Sequence, residues 1–152
     1  MCIDLRVNTC YDKNIMNYGV VIIIKFQTKL KNYKNALARL HEGLKESKSN
    51  CSLTMRDGVI WRFRLTTELA LKAIIEYLLS NVFNDVNTPK NVMKAALATD
   101  IITNEDGWIT ILRDRNSTSH IYDEDDANEV YKRIASSHIK LFDELLNKLS
   151  AI

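Results

Sequence analysis

Arg115, Asn116, His120 and Tyr122 place a guanidinium, an amide, an imidazole and a phenol within one eight-residue stretch. A guanidinium grips phosphate oxygens through two parallel hydrogen bonds and does not lose its proton. An imidazole takes or gives a proton near neutral pH. If Arg115 ends a helix and Ser117 to Ser119 form a turn, His120 can fold back beside the guanidinium. Such a pair could cleave RNA without a metal. His120 would take the 2′-hydroxyl proton, and Arg115 would stabilise charge on the phosphorane. The same two cations near a helix C-terminus would also complement its dipole, and the residues alone leave both readings open.

The elements that must position these groups follow from composition. The 152 residues suffice for one domain with a real core. With four Gly and a single Pro, Pro89, long uninterrupted helices are permitted and a series of tight hairpins is not. The net charge of +2 favours no class of partner, but it is unevenly spread. Residues 1–64 carry 12 Lys/Arg against 5 Asp/Glu, and residues 65–152 carry 9 against 14. Solvated helix faces account for this, and an approaching partner or RNA backbone could also exploit it.

Cys2, Cys10 and Cys51 are odd in number and lack ligand spacing, as expected of reduced thiols in a cytoplasmic protein. His41, His120 and His138 are scattered, and no phosphate-binding Gly loop is present. Neither a metal site nor a cofactor is expected. The apolar run Val20–Ile24 falls far below the ~20 residues that span a bilayer, and it lacks a signal-peptide signature. No membrane association is expected.

Residues 1–20 show no periodicity and are expected to be a poorly structured tail, with Met16 as an alternative start. Residues 21–152 are expected to form the folded domain. Val20–Ile24 itself suits either a short strand or an extension of the first helix. From Phe26 the pattern is clear: Phe26, Leu30, Tyr33, Leu37, Leu40 and Leu44 form a stripe of coiled-coil type. Ser47–Ser52 reads as a loop. A second helix is predicted from about Met55 to Ser80, with Ile60, Phe63, Thr67, Ala70, Ile74 and Tyr77 in its seam. Glu68 and Lys72 look like an ordinary surface pair on it. Thr88-Pro89 starts a third helix, and Asn104 or Asp106 a fourth that runs to Arg115. Asp123–Asp126 opens the last helix, where acidic residues suit the positive end and could hold a cationic His120. Its seam is Val130, Ile134, His138, Leu141, Leu145 and Leu149, with His138 as a packing residue. Trp61 and Trp108 are expected as core or interface anchors. The whole is all-α, an up-and-down bundle of four to five helices. The stripes on the two long helices suggest a homodimer.

Three segments carry a family resemblance: Arg56-Asp57-Gly58-Val59-Ile60 with Phe63 to Lys72, Thr88-Pro89-Lys90-Asn91-Val92 with Ala95-Ala96, and Leu112 to Glu124. In order and spacing they resemble the nucleotidyltransferase substrate-binding protein family, within the HEPN superfamily of helical bundles. The resemblance covers about residues 25–149. Leu71 and Thr67 stand where aromatics are common in that family. The resemblance implies a minimal nucleotidyltransferase as partner and a site at a dimer cleft. Many HEPN proteins are metal-independent ribonucleases marked by Arg, four to six residues, then His. On that pattern His120 would be the acid/base, Arg115 the phosphate clamp and Asn116 an orienting group. Toxin members add a Tyr two positions after the His, where the partner attaches AMP; Tyr122 falls there. The leading expectation is therefore a ribonuclease toxin neutralised by its nucleotidyltransferase partner. The alternative is a non-catalytic substrate-binding or adaptor subunit of that partner. A purely structural bundle, with Arg115 and His120 capping a helix, is the third.

Overall fold

The computed structural model describes residues 9–50, 52–81, 83, 85–118 and 123–152, the stretch 9–18 by its backbone. Every regular element among them is helical. Helix α1 spans Thr9–Ser49 and α2 spans Leu53–Ser80. The run Val20–Ile24 is thus helical rather than a strand, and α1 shows no break at residue 20. The polar stretch from Ser47 does not end α1 early: Ser47 stays helical and buried, its hydroxyl between the Leu44 carbonyl and the Tyr131 hydroxyl. Ser52 caps α2 by accepting from the Met55 amide at 3.2 Å.

The two long helices run antiparallel, because Gly43 faces Val59 and Arg62 while Phe26 lies against Tyr77. At Gly43 the helices approach closely; an added Cβ would sit 3.1–3.3 Å from Arg62 and Val59. The stripe of Phe26, Tyr33, Leu37, Leu40 and Leu44 is buried inside this one chain. The seam that suggests a second copy is therefore already occupied by α2 and its neighbours. On α2, the buried hydroxyls of Thr66 and Thr67 bond back to the carbonyls of Arg62 and Phe63. Two polar groups thus enter the core without a stranded donor.

Helix α3 (Pro89–Ala98) begins as its residues demand, with Thr88 as cap and Pro89 in the first turn. It closes through Asp100, a non-glycine residue at φ 57°. Ile101 and Ile102, just beyond, are buried. Helix α4 (Glu105–Ser117) is capped by Asn104, whose side chain accepts from the Gly107 amide. Helix α5 (Glu124–Arg133) is capped by Asp123. It passes through a π-helical turn, Ile134–His138, into α6 (Ile139–Ser150).

The core centres on Phe142, which the periodic seam of the last helix omits. Tyr33 and Trp108 meet its ring edge-on at 6.4 and 5.8 Å, and Phe63 lies tilted at 6.0 Å. The Tyr33 hydroxyl donates to the Phe142 carbonyl at 2.7 Å. Burial pushes that phenol's pKa well above its ordinary value, and the nearby Asp143 adds to the effect. Of the two tryptophans, Trp108 is a core anchor and Trp61 is 64 % exposed.

Candidate functional site

The C-terminal half of α4 delivers three consecutive charged residues, Arg113, Asp114 and Arg115, pointing in directions about 100° apart. Trp108, Ile111 and Asp114 form the buried face, so Asp114 is carried into the core and is 2 % exposed. There it meets the junction of α5 and α6. Arg133 donates to it through Nε at 2.7 Å and Nη2 at 3.0 Å, a two-pronged ion pair. His138 Nε2 lies 2.8 Å from the same carboxylate. A carboxylate has only lone pairs to offer, so Nε2 carries the hydrogen. The His138 ring stacks on Phe63 at 5.4 Å, and its Nδ1 is buried with no partner among the described residues. Burial pushes the Asp114 carboxyl upward; the hydrogen bonds from His138 and Arg133 and their positive charge outweigh that, leaving it below its ordinary value. His138 is thus a packing residue with a specific polar partner.

Arg115, one residue on, turns toward α2. Its Nη2 donates to Glu68 Oε1 at 2.8 Å and its Nη1 to Asn116 Oδ1 at 3.0 Å. Its Nε is buried and has no partner among the described residues. Glu68 therefore pairs across helices with Arg115, not along its own helix with Lys72. Helix α4 continues past Arg115 to Ser117, with Thr118 as cap. The hydroxyls of Ser117 and Thr118 donate to the carbonyls of Asp114 and Arg115, closing the last turn. Of the four residues singled out by chemistry, the structure brings Arg115 and Asn116 together. His120 and Tyr122 lie outside the described residues, so the convergence of Arg115 with His120 stays an expectation.

Beside this turn lies a cleft of about 280 Å³ between α2, the end of α4 and the start of α5. Arg56, Trp61 and Arg64 line it from α2, and Thr118, Asp123 and Glu124 from the other side. Arg56 is tied to Asp57 and Asn128. Arg64 precedes Glu68 by one helical turn, so the Arg115–Glu68 pair sits next to the cleft along α2. An aromatic face, two guanidiniums and three carboxylates (Asp57 among them) suit a polar ligand with a planar part. No group of His, Cys, Asp and Glu among the described residues could hold a metal ion. No described helix is long and apolar enough to cross a membrane.

Asp114 and Arg133 escape a reading of local spacing because each sits beside other charged residues in a stretch that looks solvated, and Glu68 escapes because Lys72 offers a partner four positions away. The available signal was the three-residue step from Trp108 to Ile111 to Asp114, which puts a carboxylate on an apolar face.

Residues 28–151 match the family model described as nucleotidyltransferase substrate binding protein like. The fold is similar to that of HI0074 from Haemophilus influenzae, a structure described as revealing the fold of a substrate binding domain of a nucleotidyltransferase. The two share 25 % identity with a TM-score of 0.72, over 80 % of this chain and 98 % of the other. Comparison with curated protein sequences returned no match.

Proposed function

Because the chain belongs to the nucleotidyltransferase substrate binding protein-like family, we propose that it is the non-catalytic, substrate-binding subunit of a two-component nucleotidyltransferase. The observation that carries this reading is the state of Arg115. Two of its nitrogens are engaged by Glu68 and Asn116. These contacts occupy two of its five N–H donors, and the Glu68 carboxylate 2.8 Å away offsets its charge and repels an incoming phosphate. In a binding subunit the same pair stiffens the wall beside the cleft. Trp61 and Arg64, on the next turn of α2, then present an aromatic face and a cation to the substrate. Orientation of that substrate toward the partner's catalytic centre is the contribution of this chain. RNA contact belongs to the ribonuclease reading and is an outcome of the same experiment.

The test mixes the purified chain with a minimal nucleotidyltransferase from the same genome and measures nucleotidyl transfer with and without the chain. Transfer is expected to rise on addition, and Trp61→Ala with Arg64→Ala to reverse the gain. The chain alone is expected to leave RNA intact in EDTA. RNA cleavage in EDTA that disappears in His120→Ala would overturn the proposal in favour of the ribonuclease toxin, with Tyr122 as the site of partner-dependent AMP attachment.

A further inference from the structure

Glu68 has three cations within reach and is paired with one. On its own helix Arg64 lies four positions before it and Lys72 four after, the spacing at which oppositely charged side chains meet. Its partner is instead Arg115, which arrives from α4 and donates through Nη2 at 2.8 Å. Asn116 holds the same guanidinium through Nη1, and its Nε is buried. A guanidinium already fixed in this way gives up little freedom on pairing. Arg64 and Lys72 are exposed side chains that would have to be ordered.

That choice decides what the neighbouring cleft offers a ligand. Of the two guanidiniums that line the cleft, Arg56 is engaged: its Nε and Nη2 donate to Asp57 and its Nη1 to Asn128. Arg64 makes no ion pair and no side-chain hydrogen bond among the described residues, and it stands one turn from the exposed face of Trp61. It is the guanidinium of this wall with its charge still to give. Arg115 does not line the cleft, so whatever it contributes there passes through Glu68.

We infer that Arg115 is a positioning residue for Arg64: by holding Glu68, it keeps that carboxylate from turning back along α2, so that Arg64 meets an anionic group of the substrate with its charge uncompensated. This rests on the proposed function, in which Trp61 and Arg64 receive the substrate, and adds the pair that keeps Arg64 available. Without Arg115 the carboxylate is shared between Arg64 and Lys72, and the share that falls to Arg64 competes directly with the ligand. The order Arg64 before Glu68 is the weaker arrangement along a helix and Glu68 before Lys72 the stronger, so the effect is largest when Lys72 is also removed.

The probe is phenyl phosphate, which carries a flat ring for Trp61 and an anion for Arg64. Its dissociation constant for the full chain is read at low ionic strength from quenching of the exposed Trp61. Lys72→Gln is the common background, and circular dichroism checks that each variant is folded. In that background Arg115→Gln is expected to weaken binding about two- to threefold. Adding Glu68→Gln is expected to return the affinity, because the carboxylate that reaches Arg64 is then gone. Arg113→Gln removes an equal charge from the exposed neighbouring position and is expected to leave binding unchanged. If the background chain binds the probe and Arg115→Gln binds it equally well, or stays weak once Glu68→Gln is added, this inference falls while the proposed function stands. Equal weakening by Arg113→Gln would overturn it in favour of net charge alone. A wild-type chain that does not bind the probe removes the role given to Trp61 and Arg64, and the proposed function falls with it.

Discussion

Replacing Asp114 with Ala tests the polar interior most directly. The carboxylate accepts from Arg133 Nε, Arg133 Nη2 and His138 Nε2 at 2.7, 3.0 and 2.8 Å. These partners are not equivalent. The Arg133 side chain is 35 % exposed and can turn its guanidinium to water, so its loss costs only about 0.5–1 kcal/mol. The His138 side chain is 2 % exposed, and its other nitrogen already lacks a partner among the described residues. Stranding its Nε2 donor costs about 1–3 kcal/mol. Together these give a loss of about 1.5–4 kcal/mol, a large share of the stability of a domain this size. Urea unfolding followed by circular dichroism would show a lower midpoint at unchanged slope. The mechanism is tested by adding His138→Leu. Removing the stranded imidazole should return part of the loss, so the double variant falls short of additivity by at least about 1 kcal/mol. A loss below about 1 kcal/mol for Asp114→Ala alone, or strict additivity, would refute the view that the cost lies in an orphaned buried donor.

Further measurements probe other links. The Asp114 carboxyl is held below its ordinary value in the folded chain, so its contribution is present above the unfolded pKa of about 4 and is lost as pH falls through the folded one. Stability should therefore drop with acid from about pH 4 downward, and Asp114→Asn should drop less steeply in the same titration. Gly107→Ala would bring a Cβ to 2.5 Å from Leu141 Cδ1 and 2.9 Å from the Asn104 amide nitrogen. It should cost about 1–3 kcal/mol in urea unfolding, through a displaced core residue and a disturbed cap. Asp100→Gly relaxes the left-handed φ of 57° and should stabilise by a few tenths to about 1 kcal/mol, visible as a rise in Tm. Glu68→Gln removes the partly exposed ion pair with Arg115; it should cost at most about 1 kcal/mol, and the difference from wild type should shrink in high salt.

The helices were legible in the sequence wherever one local rule acted alone. Thr88-Pro89 opened α3 and Asn104 opened α4 because caps are read from neighbouring residues. The α1 stripe was legible because burial repeats with the helical turn. What was hidden depended on contacts between distant segments. Glu68 and Lys72 satisfy the spacing of a surface pair, yet a guanidinium arriving from α4 claims the glutamate. Phe142 sits one position after Leu141 in the seam and became the hub of the core only through Tyr33, Phe63 and Trp108 on three other helices. At the candidate site, Arg115 and Asn116 were found as chemistry-bearing residues from type and spacing. The ion pair that restrains Arg115 could not be found that way, because Glu68 is 47 positions away. His120 and Tyr122 rest on the motif alone.

The π-helical turn at Ile134–His138 keeps two stretches of the last helix in phase. Leu149 lies nineteen positions after Val130, both on the buried side, whereas five ordinary turns span about eighteen. The wide turn absorbs the surplus residue as a leap day absorbs the drift of a calendar. Deleting Ser136 or Ser137 would restore regular winding and leave Leu145 and Leu149 on the buried side, whereas inserting a further residue there would swing everything downstream by about 100°. This stretch should therefore tolerate the loss of one residue far better than the gain of one.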